Sequence, residues 1–73
     1  MTRLEGTIAA VNATSRSVTF RSGNGTTRTV IVAATAKLER NDIETTLASF
    51  LVGDFGQARI DASGVAVKIE ARA

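Results

Sequence analysis

The residue types that most often do chemistry are nearly missing from this chain. It has no Cys and no His. A thiolate nucleophile, a Ser-His or Cys-His pair and the usual imidazole and thiolate metal ligands are therefore excluded. A Ser-Lys pair is the one nucleophilic arrangement left. Lys37 and Lys68, however, fall at outward positions of alternating stretches, where an ammonium is simply solvated. Among the carboxylates, Asp42 and Glu44 share a polar stretch, and Asp54 and Asp61 flank another segment. Calcium takes at least about six oxygen ligands, several of them carboxylates of one tight loop. Asp42-Ile43-Glu44 offers only a pair, and Asp61-Ala62-Ser63-Gly64 reads as an Asp-initiated turn. The residues point away from an enzyme, from a metal site and from a cofactor.

Arginine supplies the remaining candidate chemistry. The 73 residues carry nine basic and seven acidic groups, a net charge of +2, and seven of the nine basic residues are Arg. Binding of single-stranded nucleic acid needs a cationic groove with aromatic stacking platforms. Arg21 and Arg28 flank Gly23-Asn24-Gly25 and are expected to face each other across that turn, with Arg16 at the far end of the same strand. Arg59 completes a basic face if its own strand lies alongside. The aromatic half is poor: Phe20 alternates inward, Phe50 belongs to an apolar helical face, and only Phe55 is expected outside. Two Asn-x-Thr triplets, at Asn12 and Asn24, match a glycosylation acceptor, but both sit where turn chemistry already favours Asn.

Strands must position these groups. Leu4, Gly6, Ile8 and Ala10 alternate with Glu5 and Thr7, and a bulge near Ala9-Ala10 is needed to return Val11 to the core side. Asn12 to Arg16 is a polar turn, and Ser17 to Ser22 follows with Val18 and Phe20 inward. Gly23-Asn24-Gly25 is a tight-hairpin signal. Thr26 to Val32 is a third strand, whose Val30-Ile31-Val32 run suggests burial on both faces, and a separate extended piece lies around Lys37-Leu38-Glu39. Arg40 to Thr45 reads as a loop. Thr45 or Thr46 caps a short helix that buries Leu47, Phe50 and Leu51, and Gly53 ends it. Phe55 to Ile60 is a fourth strand. Asp61 to Gly64 turns into a fifth, with Val65, Val67 and Ile69 inward and Lys68 and Glu70 outward.

Residues 1–73 therefore read as a single small domain, all-β: a five-stranded, OB-like β-barrel with one short helix between strands three and four. Such a chain buries only about 60% of its unfolded surface. With no disulfide to help, its core holds itself or is completed by a second copy. No apolar run approaches the roughly 18 residues of a membrane span, and Met1-Thr2-Arg3 leads straight into alternation with no signal pattern. Gly56 and Ala58 make the fourth strand thin, leaving an unfilled groove or an open edge. Self-association there would use Gly56 and Ala58 together with the outward Ile31 and Phe55.

Several short motifs resemble a family of small bacterial domains of unknown function, the DUF5666 type. They are Leu4-Glu5-Gly6-Thr7-Ile8, Ser17-Val18-Thr19-Phe20, the valine-rich strand Val30 to Thr35, the leucine-bearing turn Leu47 to Asp54 ending in Val-Gly-Asp, and the closing Val65 to Glu70. The resemblance implies a small β-barrel from an exported bacterial protein, periplasmic or extracellular, often present in tandem copies. It departs after Gly53-Asp54, where Gly56 and Ala58 replace large β-branched residues. It brings no catalytic residues. The function expected is a non-enzymatic binding or assembly module of uncharacterised ligand, with a protein partner or self-association. The alternative is an OB-type domain holding single-stranded nucleic acid through Arg16, Arg21, Arg28 and Arg59.

Overall fold

Alternating apolar residues make the strands of this chain, and glycine and asparagine break them. The computed structural model describes residues 2–73. Its strands are β1 (Thr2–Asn12), β2 (Ser17–Arg21), β3 (Thr27–Arg40), β4 (Ile43–Glu44), β5 (Phe55–Ile60) and β6 (Val65–Arg72), with a 3₁₀ turn at Leu47–Ser49. β1 runs antiparallel to β2 and to β5, β2 to β3, and β5 to β6. β3 and β6 pair in parallel and close the ring. A parallel pair needs a long crossover, and here the crossover carries β4, the 3₁₀ turn and β5. The result is the five-stranded, OB-like barrel expected, with β4 attached to β3 outside the ring.

The core is a single cluster in which Ile8, Val18, Phe20, Val30, Val32, Leu38, Ile60 and Ile69 are buried. The bulge in β1 lies where alternation requires it: the register steps from Ile8 opposite Phe20 to Ala10 opposite Thr19, and Val11 packs against the core. The tight turn before β3 places Gly25 at φ +87°, and the Asn24 side-chain oxygen accepts from the Thr26 N–H at 3.0 Å.

Five local expectations are corrected. First, β3 is one strand of 14 residues, not two pieces. Its pairing with β6 jumps from Val32–Ala66 to Lys37–Lys68, so four small residues of β3 arc past Val67. Second, the expected loop at Arg40 to Thr45 contains a two-residue hairpin. Asn41 and Asp42 both take positive φ, 53° and 66°, as a tight type I′ turn requires, and β4 pairs back on β3. Third, the expected short helix is a single 3₁₀ turn, and Thr46 makes no side-chain cap. Leu47 and Phe50 are buried, whereas Leu51 is 55% exposed. A turn of 3₁₀ pitch does not carry i and i+4 on one face, so Leu51 swings outward. Fourth, a register shift near Val67 changes the phase of β6: Ile69 faces inward as expected, but Ala66 and Ala71 join it there in place of Val65 and Val67. Fifth, Val30 and Val32 are buried but Ile31 is 53% exposed, so that end of β3 is covered on one face only.

Gly56 and Ala58 do not leave a gap. An ideal Cβ on Gly56 would lie 2.7 Å from Phe20 Cε1 and 3.4 Å from Ile8 Cγ1. The Phe20 ring therefore fills the space that the missing side chain vacates. Gly56 pairs with Gly6 across β1 and β5, and a Cβ on Gly6 would meet the Arg21 carbonyl oxygen at 2.6 Å. The two glycines let β2 fold closely over the β1–β5 wall.

Candidate ligand-binding face

The four arginines singled out in the sequence are dispersed. Arg16 sits in the left-handed region (φ 54°) and is partly buried. Its Nε donates to the Val32 carbonyl at 3.1 Å and its Nη2 to the Ala33 carbonyl at 2.8 Å, so its guanidinium clamps β3 rather than facing a ligand. Arg21 pairs with Thr27, and Arg28 pairs with Phe20. Cross-strand partners share a face, so Arg28 takes the core-facing side at the barrel rim while Arg21 points outward. The two do not face each other. Around Arg21 the outer face of β2 and β3 carries Thr19, Thr27 and Thr29, with Thr19 and Thr29 hydroxyls 2.7 Å apart, and no aromatic ring. Arg59 lies on β5, on another side of the barrel.

The proposed association residues also separate. Gly56 and Ala58 are buried, and β5 is hydrogen-bonded to strands on both sides, so no open edge exists there. Ile31 and Phe55 are exposed, but Ile31 stands opposite Val65 and Phe55 opposite Arg72, at the two ends of β6. At the rise of a strand they are roughly 20 Å apart and form no common patch.

The carboxylates are mostly structural. Asp54 is buried and accepts a two-pronged bond from Arg40, Nε at 2.8 Å and Nη2 at 3.0 Å, and another from the Leu51 N–H at 3.0 Å. The Arg40 hydrogen bonds hold its carboxyl below the ordinary value against the opposing effect of burial. This pair ties the loop after the 3₁₀ turn to the end of β3. Asp61 accepts from the Ser63 hydroxyl, the Ser63 N–H and the Val65 N–H, which lower its pKa and organise the β5–β6 turn. Asp42 and Glu44 are exposed on the β3–β4 hairpin. Among the described residues, no three His, Cys, Asp or Glu side chains gather as a metal site, and no helix is long and apolar enough to cross a membrane.

A feature that the linear pattern hid is the arrangement of charge across the outer wall. Register places Arg3 beside Arg59, Arg59 beside Lys68, and Lys68 beside Lys37, a row of four cations over β1, β5, β6 and β3. Two residues further along the strands, Glu5, Gln57, Glu70 and Glu39 form a second row, which Glu44 of β4 extends. The rows are separated by about 6.8 Å of strand. Ion pairs join them along each strand, Arg3–Glu5 at 3.3 Å, Lys68–Glu70 at 2.9 Å and Lys37–Glu39 at 3.7 Å. β5 is the exception, with Gln57 where the others have Glu. A shallow cleft of about 130 Å³ lies between Arg3, Arg59 and Lys68, bordered by Gln57, Ala58 and Glu70. A larger groove of about 290 Å³ follows, lined by Phe55, Gln57, Glu70, Arg72, Glu39 and Asn41 among others. The Glu70 carboxyl is lowered chiefly by the hydrogen bond and charge of Lys68, with Arg59 and Lys37 contributing. Alternation alone would have marked these positions as outward; only the register shows that like charges stand side by side.

Fold and surface together define a small OB-like β-barrel with a charged outer wall. Comparison with known protein families and with curated proteins finds no match.

Proposed function

We propose that this chain is a non-enzymatic binding module that presents the outer wall of β1, β5 and β6 to its ligand. One observation carries this reading: four cations are aligned across adjacent strands, and among the described residues Arg59 is the one of the four that makes no ion pair with a carboxylate. Like charges placed directly opposite one another destabilise a sheet. An arrangement that costs stability in the free fold is explained if something else uses it. The resemblance in Leu4 to Ile8 and in Val52-Gly53-Asp54 to small bacterial barrel domains supports placing the module in an exported bacterial protein.

The single-stranded nucleic-acid reading is favoured by the barrel type, because OB barrels bind oligonucleotides over their second and third strands. Its residues, though, are split between a clamp (Arg16), two faces of one hairpin (Arg21 and Arg28) and a different wall (Arg59). An NMR shift-perturbation screen of the full chain separates the two. Oligonucleotides, oligosaccharides, divalent ions and extended peptides are added in turn. The expected result is shifts concentrated on the amides of β1, β5 and β6. Shifts confined to β2 and β3 with an oligonucleotide, weakening steeply with salt, would transfer the function to the second reading. No response to any class would count against both.

A further inference from the structure

Arg59 is the pivot of the outer wall. It stands between Arg3 on one neighbouring strand and Lys68 on the other, and the three border the cleft of about 130 Å³. That is about four times the share of liquid volume taken by one water, enough for a tetrahedral oxyanion of five heavy atoms. The carboxylates that neutralise this row lie along the strands, and each of the flanking cations has one: Glu5 for Arg3 and Glu70 for Lys68. On β5 the corresponding residue is Gln57, whose side-chain N–H₂ donates to Glu5 at 3.5 Å. A Glu at that position would neutralise Arg59 and repel an anion; an amide does neither.

We propose that Arg3, Arg59 and Lys68, with Gln57 as a neutral donor, form a binding site for a tetrahedral oxyanion, a phosphate or sulfate group carried on the module's ligand. A guanidinium offers a planar fork that engages two oxygens of such a group at once, and Lys adds a compact point charge. The Glu70 carboxylate also lines the cleft, held by Lys68 at 2.9 Å, and the three cations there outnumber it. The inference rests on the binding-module reading and names the chemistry that this face accepts.

The test is a ¹⁵N NMR titration of the full chain with inorganic phosphate and, separately, inorganic sulfate, against sodium chloride at matched ionic strength. Saturable shifts in the millimolar range at Arg3, Gln57, Ala58, Arg59 and Lys68 are expected, beyond those with chloride. Response to both anions supports a general oxyanion site, and response to one assigns the ester class. Arg59→Gln should weaken binding about tenfold, the scale of losing a hydrogen-bonded charge. Gln57→Glu should weaken it comparably while keeping the fold, because it supplies Arg59 with its missing carboxylate. Arg21→Gln should change nothing. Absence of saturable shifts with either anion, or equal affinity in Gln57→Glu and the parent, overturns the site. If another ligand class still moves β1, β5 and β6 in the wider screen, the binding-module reading survives that failure.

Discussion

Replacing Gly56 by Ala tests how the barrel wall closes. An ideal Cβ at that position lies 2.7 Å from Phe20 Cε1, with Ile8 Cγ1 and Cδ1 at 3.4 and 3.5 Å. Carbon atoms rest about 3.5–4.0 Å apart, so the Phe20 ring must retreat by roughly 1 Å. It has no vacancy to enter, being fully buried among Ile8, Val18 and their neighbours. Overpacking of this kind costs about 1–3 kcal/mol. The added methyl also restricts the unfolded chain, which offsets about 0.4–1 kcal/mol. Gly56 is not in the left-handed region, so no backbone strain enters. The net loss is about 1–2 kcal/mol, and for a domain of this size the melting temperature should fall by on the order of 5–15 °C. Urea melts followed by circular dichroism measure it. The same substitution made in Phe20→Leu should cost much less, and the coupling from that double-mutant cycle isolates the ring. If Gly56→Ala is as stable as the parent or more so, β5 borders a void and the account of its closure is wrong.

Two further outcomes follow from the ion pair and the clamp. Arg40→Met leaves the buried Asp54 carboxylate with only the Leu51 N–H, and should cost about 2–3 kcal/mol at neutral pH, somewhat below a fully buried pair because Arg40 stays partly exposed. Asp54 is lowered in the fold, so its contribution is complete above the unfolded carboxyl value of about 3.9 and is lost as pH falls through the folded value. The gap between parent and variant in urea melts should therefore shrink at acid pH; an equal gap at both pH values would deny the pair its role. Arg16→Gln should lower stability by about 1–2 kcal/mol, because two carbonyls of β3 lose a charged donor. Ligand shifts on β1, β5 and β6 should be unaffected, and a selective loss of ligand affinity at full stability would return Arg16 to a binding role.

Much of the architecture was legible because it follows from local rules. Alternation in Leu4 to Ile8, Val18 to Phe20 and Phe55 to Ile60 marks strands and their inner faces, and the break at Ala9-Ala10 marks a bulge. The Asn-Gly turn and the Asp61 turn announce themselves by residue type. The Asn41-Asp42 hairpin had a signal too, since both residues tolerate positive φ, but a polar surrounding stretch made it read as a loop. The phase change in β6 had none, because Val65 and Val67 suit the core as well as Ala66 does.

The candidate site was the least legible part, for a physical reason. Period-2 spacing tells which face of a strand a charge takes, and it placed Arg59, Lys68 and Glu70 outside. Which charges become neighbours depends on the register between strands far apart in the chain, and Arg3 and Arg59 meet only when β1 pairs with β5. The same holds for Gly56. Read along the chain it is a thin place in a wall, and only packing brings the Phe20 ring across the barrel to fill it. Local chemistry in the sequence determined the strands and the turns, and left out Cys and His. Register and packing, set by burying the whole core at once, decided where the barrel is closed and where its charge is left over.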